Sequence, residues 1–270
     1  MSLRSVERRP IGSDYVSAVG LGTWDIRDYS RAFDAFVKAA SLGINLVDTA
    51  EIYDGGRAEE FVGRVISAVG RDELFVTTKI WPDKLVDRDA VLRAARASLR
   101  RLGIGYADLI LIHWPNEALS TEAQVRNFEA VYEEGLARYI GVSNFDLARL
   151  EEAVHATRRA DIVVDQVHYS ARNRRLVEEQ GLLEFCSRNR ITIQAYRPLE
   201  KGSLASNELL ARVGAKYGRT AAQAAINYVI RHERVVALVK TEKVERIEEL
   251  VGAMGWRLSE EDVEYIRRNL

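Results

Sequence analysis

Gly20-Leu21-Gly22-Thr23-Trp24-Asp25 is the stretch on which the fold turns. It closes an apolar run over 16–21 and precedes a helical pattern that starts at Tyr29. In an open doubly wound sheet, the turn after the first strand carries Gly-x-Gly-x-x-Gly, whose glycines let backbone N–H groups approach a pyrophosphate. Here Asp25 stands in place of the third glycine, and Trp24 fills space that a phosphate would need. The turn argues against that fold, and the chain beyond it argues for another.

From Tyr29 onward, helical spacing alternates with short apolar runs. Phe33, Phe36, Val37 and Ala40 mark an inward helix face that stops at Gly43, and Ile44-Asn45-Leu46-Val47 follows as a strand. Further strands are expected at 74–78, 108–112, 139–142, 162–164, 191–195 and 235–239, which with 16–21 and 44–47 makes eight. Helices are expected at 29–42, from 58, from 87, at 121–134, 146–157, 174–189, 207–217 and 220–231, from 244, and at 259–269. Asp87, Asp146 and Ser259 are the natural N-caps. Strands buried on both faces require a parallel sheet covered by helices. Eight such units in about 250 residues predict an α/β fold of the (β/α)8 TIM-barrel class. A hairpin at 4–14 precedes the barrel, an extra helix follows it, and with no linker or low-complexity tract the reading is one domain over 1–270.

Bulk properties narrow the function. The 270 residues are 47% hydrophobic, enough for a sizeable core, and the formal net charge of -1 gives no general attraction to nucleic acid or to an anionic membrane. No apolar run approaches the length of about 18 residues that a membrane span needs, and Met1-Ser2-Leu3-Arg4-Ser5-Val6-Glu7 lacks the apolar centre of a signal peptide. Cys186 is the only cysteine, so no internal disulfide forms; Leu182, Leu183 and Phe185 around it predict a buried thiol. The expectation is a cytoplasmic monomer without nucleic-acid or membrane partners.

Barrel enzymes do their chemistry at the C-terminal ends of the strands. Those ends are Trp24, Asp48 with Tyr53, Lys79 with Trp81, His113 with Trp114, Ser143 with Asn144, Asp165 with Gln166, Tyr196 with Arg197, and Lys240 with Thr241. Ionisable groups on three successive strands converge on one cavity once the barrel closes.

In these pieces the chain resembles the aldo-keto reductases along nearly its whole length. The resemblance rests on Gly20-Leu21-Gly22-Thr23-Trp24, Asp48-Thr49-Ala50-Glu51-Ile52-Tyr53 with Glu59-Glu60, Thr78-Lys79, and Leu111-Ile112-His113-Trp114-Pro115. It continues through Gly141-Val142-Ser143-Asn144-Phe145, Asp165-Gln166-Val167, Ala195-Tyr196 with Pro198-Leu199, and Lys240-Thr241 with Glu245-Arg246-Ile247. It implies NADPH-dependent reduction of aldehydes and ketones, with a catalytic tetrad of Asp48, Tyr53, Lys79 and His113. Tyr53 would be the general acid, made more acidic by Lys79, which Asp48 holds charged, and a neutral His113 would position the carbonyl. Cofactor contacts would fall to Thr23, Trp24, Asp48, Ser143, Asn144, Gln166, Tyr196, Arg197, Pro198, Leu199, Lys240, Thr241, Arg246 and Glu249. Among these, Ser143, Asn144 and Gln166 would grip the carboxamide, Tyr196 would stack on the nicotinamide, and Lys240, Thr241 and Arg246 would take the 2′-phosphate. Trp24, Tyr53, Trp81, His113 and Trp114 would meet a small carbonyl substrate.

The chain departs from the family pattern at several places. Val239 replaces a usual proline, Arg197 a serine, Glu200 a glycine, Leu250 and Asp165 each an asparagine. The short segments 116–122 and 200–207, and an end directly after the final helix, imply an open, permissive pocket for small aldehydes, or equally one completed by a partner subunit. Two other readings stay open. One is a Schiff-base aldolase with Lys79 as nucleophile; the other is a nucleotide-binding barrel that senses redox state with slow turnover. A metal-dependent hydrolase would want His-x-His where Gly22-Thr23-Trp24 stands, so no metal is expected.

Overall fold

A computed structural model describes residues 6–270; residues 1–5, with the start of the expected hairpin and most of the segment read for a leader, lie outside the described residues. The chain opens with an antiparallel pair, β1 (Arg8–Ile11) and β2 (Asp14–Ser17), with Arg9 opposite Val16. Gly12 makes the turn with φ +58, and the ring of Tyr139 packs 2.3 Å from where a Cβ would sit, so both conformation and space require glycine.

Eight strands then close a barrel: β3 (Val19–Gly22), β4 (Leu46–Asp48), β5 (Phe75–Ile80), β6 (Ala107–Ile112), β7 (Ala137–Ser143), β8 (Ile162–His168), β9 (Thr192–Tyr196) and β10 (Val235–Val239). Every neighbouring pair is parallel, and β10 joins β3 to complete the ring. This is the expected (β/α)8 barrel with its hairpin. Gly20 shows what the opening glycines are for: a Cβ there would lie 2.7 Å from the Leu46 side chain, whereas one at Gly22 would meet nothing within 4 Å. Gly20 lets β3 and β4 pack closely.

Alternation along each strand sends one set of side chains to the helices and the other into the barrel. Phe36, Phe61, Val76, Ile110, Phe128 and Val142 belong to the outer layer. Leu46, Phe75, Leu109, Leu111, Val164 and Val236 form a second cluster with Ile11 and Val16 of the hairpin. The hairpin thus caps the N-terminal end of the barrel. Arg9 ties it there, donating to the carbonyls of Ile230 at 2.8 Å and His232 at 3.2 Å.

The helices start where the sequence places caps. Asp87, Asp146 and Ser259 each accept a backbone N–H at the first turn of Arg88–Leu102, Leu147–Ala156 and Glu260–Asn269. Several expected spans differ. The run 16–21 breaks at Ala18, because Val16 pairs within the hairpin while Val19 and Leu21 pair within the barrel. The helix expected at 121–134 splits into Thr121–Phe128 and Ala130–Glu133 at Glu129, whose buried carboxylate accepts the backbone N–H groups of Arg158 and Arg159. In the region 174–189 only Leu182–Arg188 is α-helical, since Gly181 turns left-handed (φ 82) after a wide turn at Arg175–Glu179. The segment from 244 is a tight turn, Val244–Arg246, before the short helix Ile247–Val251. Among the described residues no helix is long and apolar enough to cross a membrane.

Candidate active site

Lys79, the penultimate residue of β5, has its side chain fully buried and its ammonium committed to three acceptors. Nζ donates to Asp48 Oδ2 at 2.8 Å, to the Thr49 carbonyl at 2.8 Å and to Tyr53 Oη at 3.1 Å. An ammonium has three N–H bonds, so none is left over. Asp48 is the last residue of β4, next to β5, and its other oxygen accepts Gln166 Nε2 at 2.8 Å. Tyr53 begins a tight turn, Tyr53–Gly56, in which Asp54, Gly55 and Gly56 all have positive φ. That reversal folds the phenol back over the barrel mouth.

His113 follows β6, its ring edge-on to Tyr53 (centroids 5.5 Å apart) and to Trp81 (5.2 Å). The four tetrad residues of the resemblance therefore meet in one place. Electrostatics separates their protonation states. Burial lowers the Lys79 pKa, but Asp48 and Tyr53 outweigh it, and the net shift is upward, so the amine stays charged. Burial and then the Lys79 charge push His113 down to about 3, leaving a neutral imidazole. Its Nδ1 is buried without a hydrogen-bond partner among the described residues.

At Tyr53 burial raises the phenol pKa, Lys79 lowers it through its charge and its hydrogen bond as expected, and Asp48 raises it; the net shift is upward.

The expected cofactor residues line the same mouth, many already bonded to one another. Ser143 Oγ donates to the Gln166 carbonyl at 2.8 Å, and Asn144 Nδ2 donates to the His113 carbonyl at 3.1 Å and to Ser143 Oγ at 3.0 Å. Tyr196 Oη donates to Asn144 Oδ1 at 2.8 Å, and its ring stacks on His168 at 5.4 Å. Gln166 Nε2 bonds Gln194 as well as Asp48. Thr23 Oγ donates to the Asp48 carbonyl at 3.0 Å. Lys240 pairs with Glu242 at 2.6 Å and Arg246 with Glu249 at 2.6 Å, so the two expected phosphate cations each hold a carboxylate of their own. Thr241 is buried and accepts the Lys243 N–H, Pro198 is buried, and Leu199 is half-buried. This donor set fits a nicotinamide dinucleotide. It offers mixed amide donors and acceptors for a carboxamide, an aromatic plate at Tyr196, and cations at the end of β10 for a phosphate.

Trp24 and Trp114 are 45% and 44% exposed, unusual for a tryptophan in a core and consistent with the wall of an open cleft. Trp256 is instead packed against Tyr217, with Nε1 bonded to the Gly252 carbonyl. Asp165, expected beside Gln166 at a strand end, is fully buried in the middle of β8. Alternation turns it outward while Gln166 turns in, and burial pushes its pKa well above the carboxylate range. Sequence reasoning gave no role to Glu51, which accepts the Trp81 N–H at 2.6 Å, although an acid two residues before Tyr53 was a signal for it. Glu200, marked only as a departure from the family pattern, accepts from His168 and Ser170.

Comparison with known proteins places this geometry. The sequence profile of the Aldo/keto reductase family matches residues 18–269. A glyoxal reductase of Bacillus subtilis is 34% identical over 251 residues, 92% of this chain and 86% of that one. A methylglyoxal reductase of Escherichia coli O157:H7 is 33% identical over 251 residues, covering 92% and 90%. A thermostable aldo-keto reductase solved with the inhibitor epalrestat superimposes with TM-score 0.90 at 36% identity over 97% of this chain and 99% of its own. An aldo-keto reductase of Klebsiella pneumoniae solved with NADPH gives 0.87 at 29% identity, covering 96% and 92%. The chain belongs to the aldo-keto reductase family and is an NADP-dependent oxidoreductase that acts on aldehydes or ketones.

Proposed function

We propose that this protein reduces small, open-chain aldehydes and ketones, two-carbon and three-carbon dicarbonyls among them, with Tyr53 as the proton donor. NADPH, when bound, supplies the hydride. The observation that carries the reading is the buried ammonium of Lys79, bonded to Asp48 on one side and to the Tyr53 oxygen on the other. As the carbonyl oxygen gains negative charge, Tyr53 passes its proton to it, and Lys79 stabilises the phenolate left behind. Asp48 keeps Lys79 charged and aimed. Neutral His113 donates a hydrogen bond to the same oxygen and fixes the carbonyl in place. Trp24, Trp81 and Trp114 supply the apolar wall.

Ser143, Asn144 and Gln166 would hold the carboxamide and Tyr196 would carry the ring. Lys240, Thr241 and Arg246 would take the 2′-phosphate in competition with Glu242 and Glu249, which pair with the two cations. Closure of eight strands around one interior supports reading 1–270 as a single domain. The aldolase reading is disfavoured because Lys79 is held charged with all three N–H bonds donated, leaving no lone pair for attack.

The test is cofactor oxidation with glyoxal, methylglyoxal and simple aldehydes, run with NADPH and with NADH. Turnover that favours NADPH is expected. No oxidation with any carbonyl would end the reductase reading, and equal rates with both cofactors would end the phosphate role of Lys240 and Arg246.

A further inference from the structure

The peptide unit between Ile80 and Trp81 leaves β5 bonded at both of its polar ends. Its carbonyl, on Ile80, accepts the His113 N–H at 3.0 Å, and its N–H, on Trp81, donates to Glu51 Oε1 at 2.6 Å. The second bond replaces a rung of the sheet. β4 ends at Asp48, yet the chain beyond it keeps bonding β5: Thr49 N–H donates to the Thr77 carbonyl at 2.9 Å and Glu51 N–H to the Lys79 carbonyl at 3.3 Å. In a regular parallel ladder the Trp81 N–H would come next and go to the Glu51 backbone carbonyl. Here the backbone is already turning toward Tyr53, whose N–H donates to the Ala50 carbonyl at 3.1 Å, and the Glu51 side chain takes the bond instead.

Pro82 adds a second restraint by keeping Trp81 extended (φ -73, ψ 146). The indole so held stands edge-on to the His113 ring, with centroids 5.2 Å and planes 87° apart, and His113 in turn lies 5.5 Å from the Tyr53 ring. Glu51 is half-buried, and burial raises its pKa despite the Trp81 N–H. Among the described residues that N–H is the one hydrogen bond its carboxylate accepts, and it forms no ion pair. Glu59, by contrast, is spent on Thr78 and Arg101. We infer that Glu51 is a positioning residue: by fixing the Ile80–Trp81 peptide it sets the Trp81 indole against His113, and so sets the width of the cleft around the reacting carbonyl and the size of aldehyde that is preferred. The inference rests on the reductase reading and adds a specificity-determining residue to it.

The experiment measures kcat/KM for propanal and for benzaldehyde at saturating NADPH in wild type, Glu51→Ala, Glu51→Gln, Trp81→Ala and the double variant Glu51→Ala/Trp81→Ala. Propanal has little area to bury and depends on a wall already in place, whereas benzaldehyde has a ring to spread over Trp24 and Trp114. The propanal-to-benzaldehyde ratio is expected to fall about 10-fold in Glu51→Ala, the worth of a hydrogen bond to a charged acceptor. It should return most of the way in Glu51→Gln, whose amide oxygen accepts the same N–H, with the NADPH dissociation constant near wild type throughout. On the Trp81→Ala background, removing Glu51 should change the ratio by no more than about 2-fold, because the indole it positions is gone. A general loss of stability would show no such dependence on the indole. An unchanged or raised ratio in Glu51→Ala, an equal fall on both backgrounds, a Glu51→Gln as impaired as Glu51→Ala, or a matching rise in the NADPH dissociation constant would each overturn the inference. If wild type oxidised NADPH with neither aldehyde, the reductase reading would fall, and NMR would still decide the positioning. The Trp81 indole N–H signal, identified by its loss in Trp81→Ala, should shift in Glu51→Ala and hold in Glu51→Gln; a signal that Glu51→Ala leaves unmoved would overturn it.

Discussion

Two buried clusters in this protein each set tyrosine against an ion pair, and only one is built for chemistry. At the mouth, Tyr53 Oη accepts a hydrogen bond from Lys79, with Asp48 on the far side of the lysine. Between the outer helices, Tyr169 and Tyr228 donate at 2.7 and 2.8 Å to Glu178, whose carboxylate also pairs with Arg231 and Arg267, each at 2.9 Å. All three phenols are raised above their usual pKa, chiefly by burial. Cations touch the phenol oxygens in both places, since Arg231 donates to Tyr169 Oη at 2.8 Å and Arg267 to Tyr228 Oη at 3.4 Å, so the difference lies in where the hydroxyl proton goes. A tyrosine that donates to a carboxylate has spent its proton. A tyrosine that accepts from an ammonium keeps its proton free for a third party and has a cation waiting for the charge left behind.

The sharpest way to break this comparison is to remove one hydroxyl from each cluster. Tyr53→Phe is expected to lower kcat by roughly 100- to 10,000-fold, the range for losing a general acid, with the NADPH dissociation constant near wild type. Tyr228→Phe should leave kcat alone and cost about 1–2 kcal/mol of stability by unfolding, since it deletes one hydrogen bond to a charged group. Steady-state kinetics and thermal melts of the pair would show it. Full activity in Tyr53→Phe would erase the distinction.

Next comes Glu178→Gln, which leaves Arg231 buried without its countercharge and should destabilise the fold by about 3–5 kcal/mol at neutral pH. In the native protein burial pushes the Glu178 carboxyl up, but Arg231 and the hydrogen bonds from Tyr169, Arg231 and Tyr228 outweigh it, bringing it from 4.5 to about 2. A depressed carboxylate contributes stability above its unfolded pKa and loses it as pH falls through the folded value. That contribution, about 3 kcal/mol, therefore disappears between pH 4.5 and about 2. His113 and His232, driven down to about 3 and about 4 chiefly by burial, add a loss that begins below pH 6.5 in both proteins. Denaturant midpoints measured down the acid range should show the Glu178 part missing from Glu178→Gln. Parallel acid slopes would contradict the assignment.

Asp165→Asn should have the smallest effect. A buried carboxyl whose pKa is raised by burial is nearly isosteric with an amide, so activity should match wild type and stability should change by no more than about 1 kcal/mol. A large loss of activity would mean that Asp165 reaches the mouth despite its outward position.

The difference between the two clusters also explains what could be read from sequence. Asp48, Lys79 and His113 are legible because each stands at the end of a strand, and barrel closure makes strand ends converge whatever the loops do. Tyr53 is legible only with the family pattern beside it, because it sits in a turn whose shape depends on Asp54, Gly55 and Gly56. The Glu178 cluster was hidden. Its members come from four outer segments with no shared period, and the helix expected across Glu178 is a wide turn there. The net direction of the Tyr53 shift was also out of reach, since it depends on a balance between burial and two opposite charges. Spacing reveals which groups meet, and only packing reveals how much water is left between them.

The hairpin has a consequence for how the chain is made. Ile11 and Val16 complete a cluster with Leu46, Phe75, Leu109, Leu111, Val164 and Val236, and Arg9 is tied to carbonyls 221 and 223 residues later. A ribosome that has delivered β1 and β2 has made a lid for a vessel whose last wall is not yet synthesised. Until β10 arrives, apolar side chains of the unfinished barrel face an unsealed end, and the loop-closure cost of joining the two extremes is met last. Among the described residues, the lid precedes every barrel strand it packs against, and its full seat needs Val236 of β10.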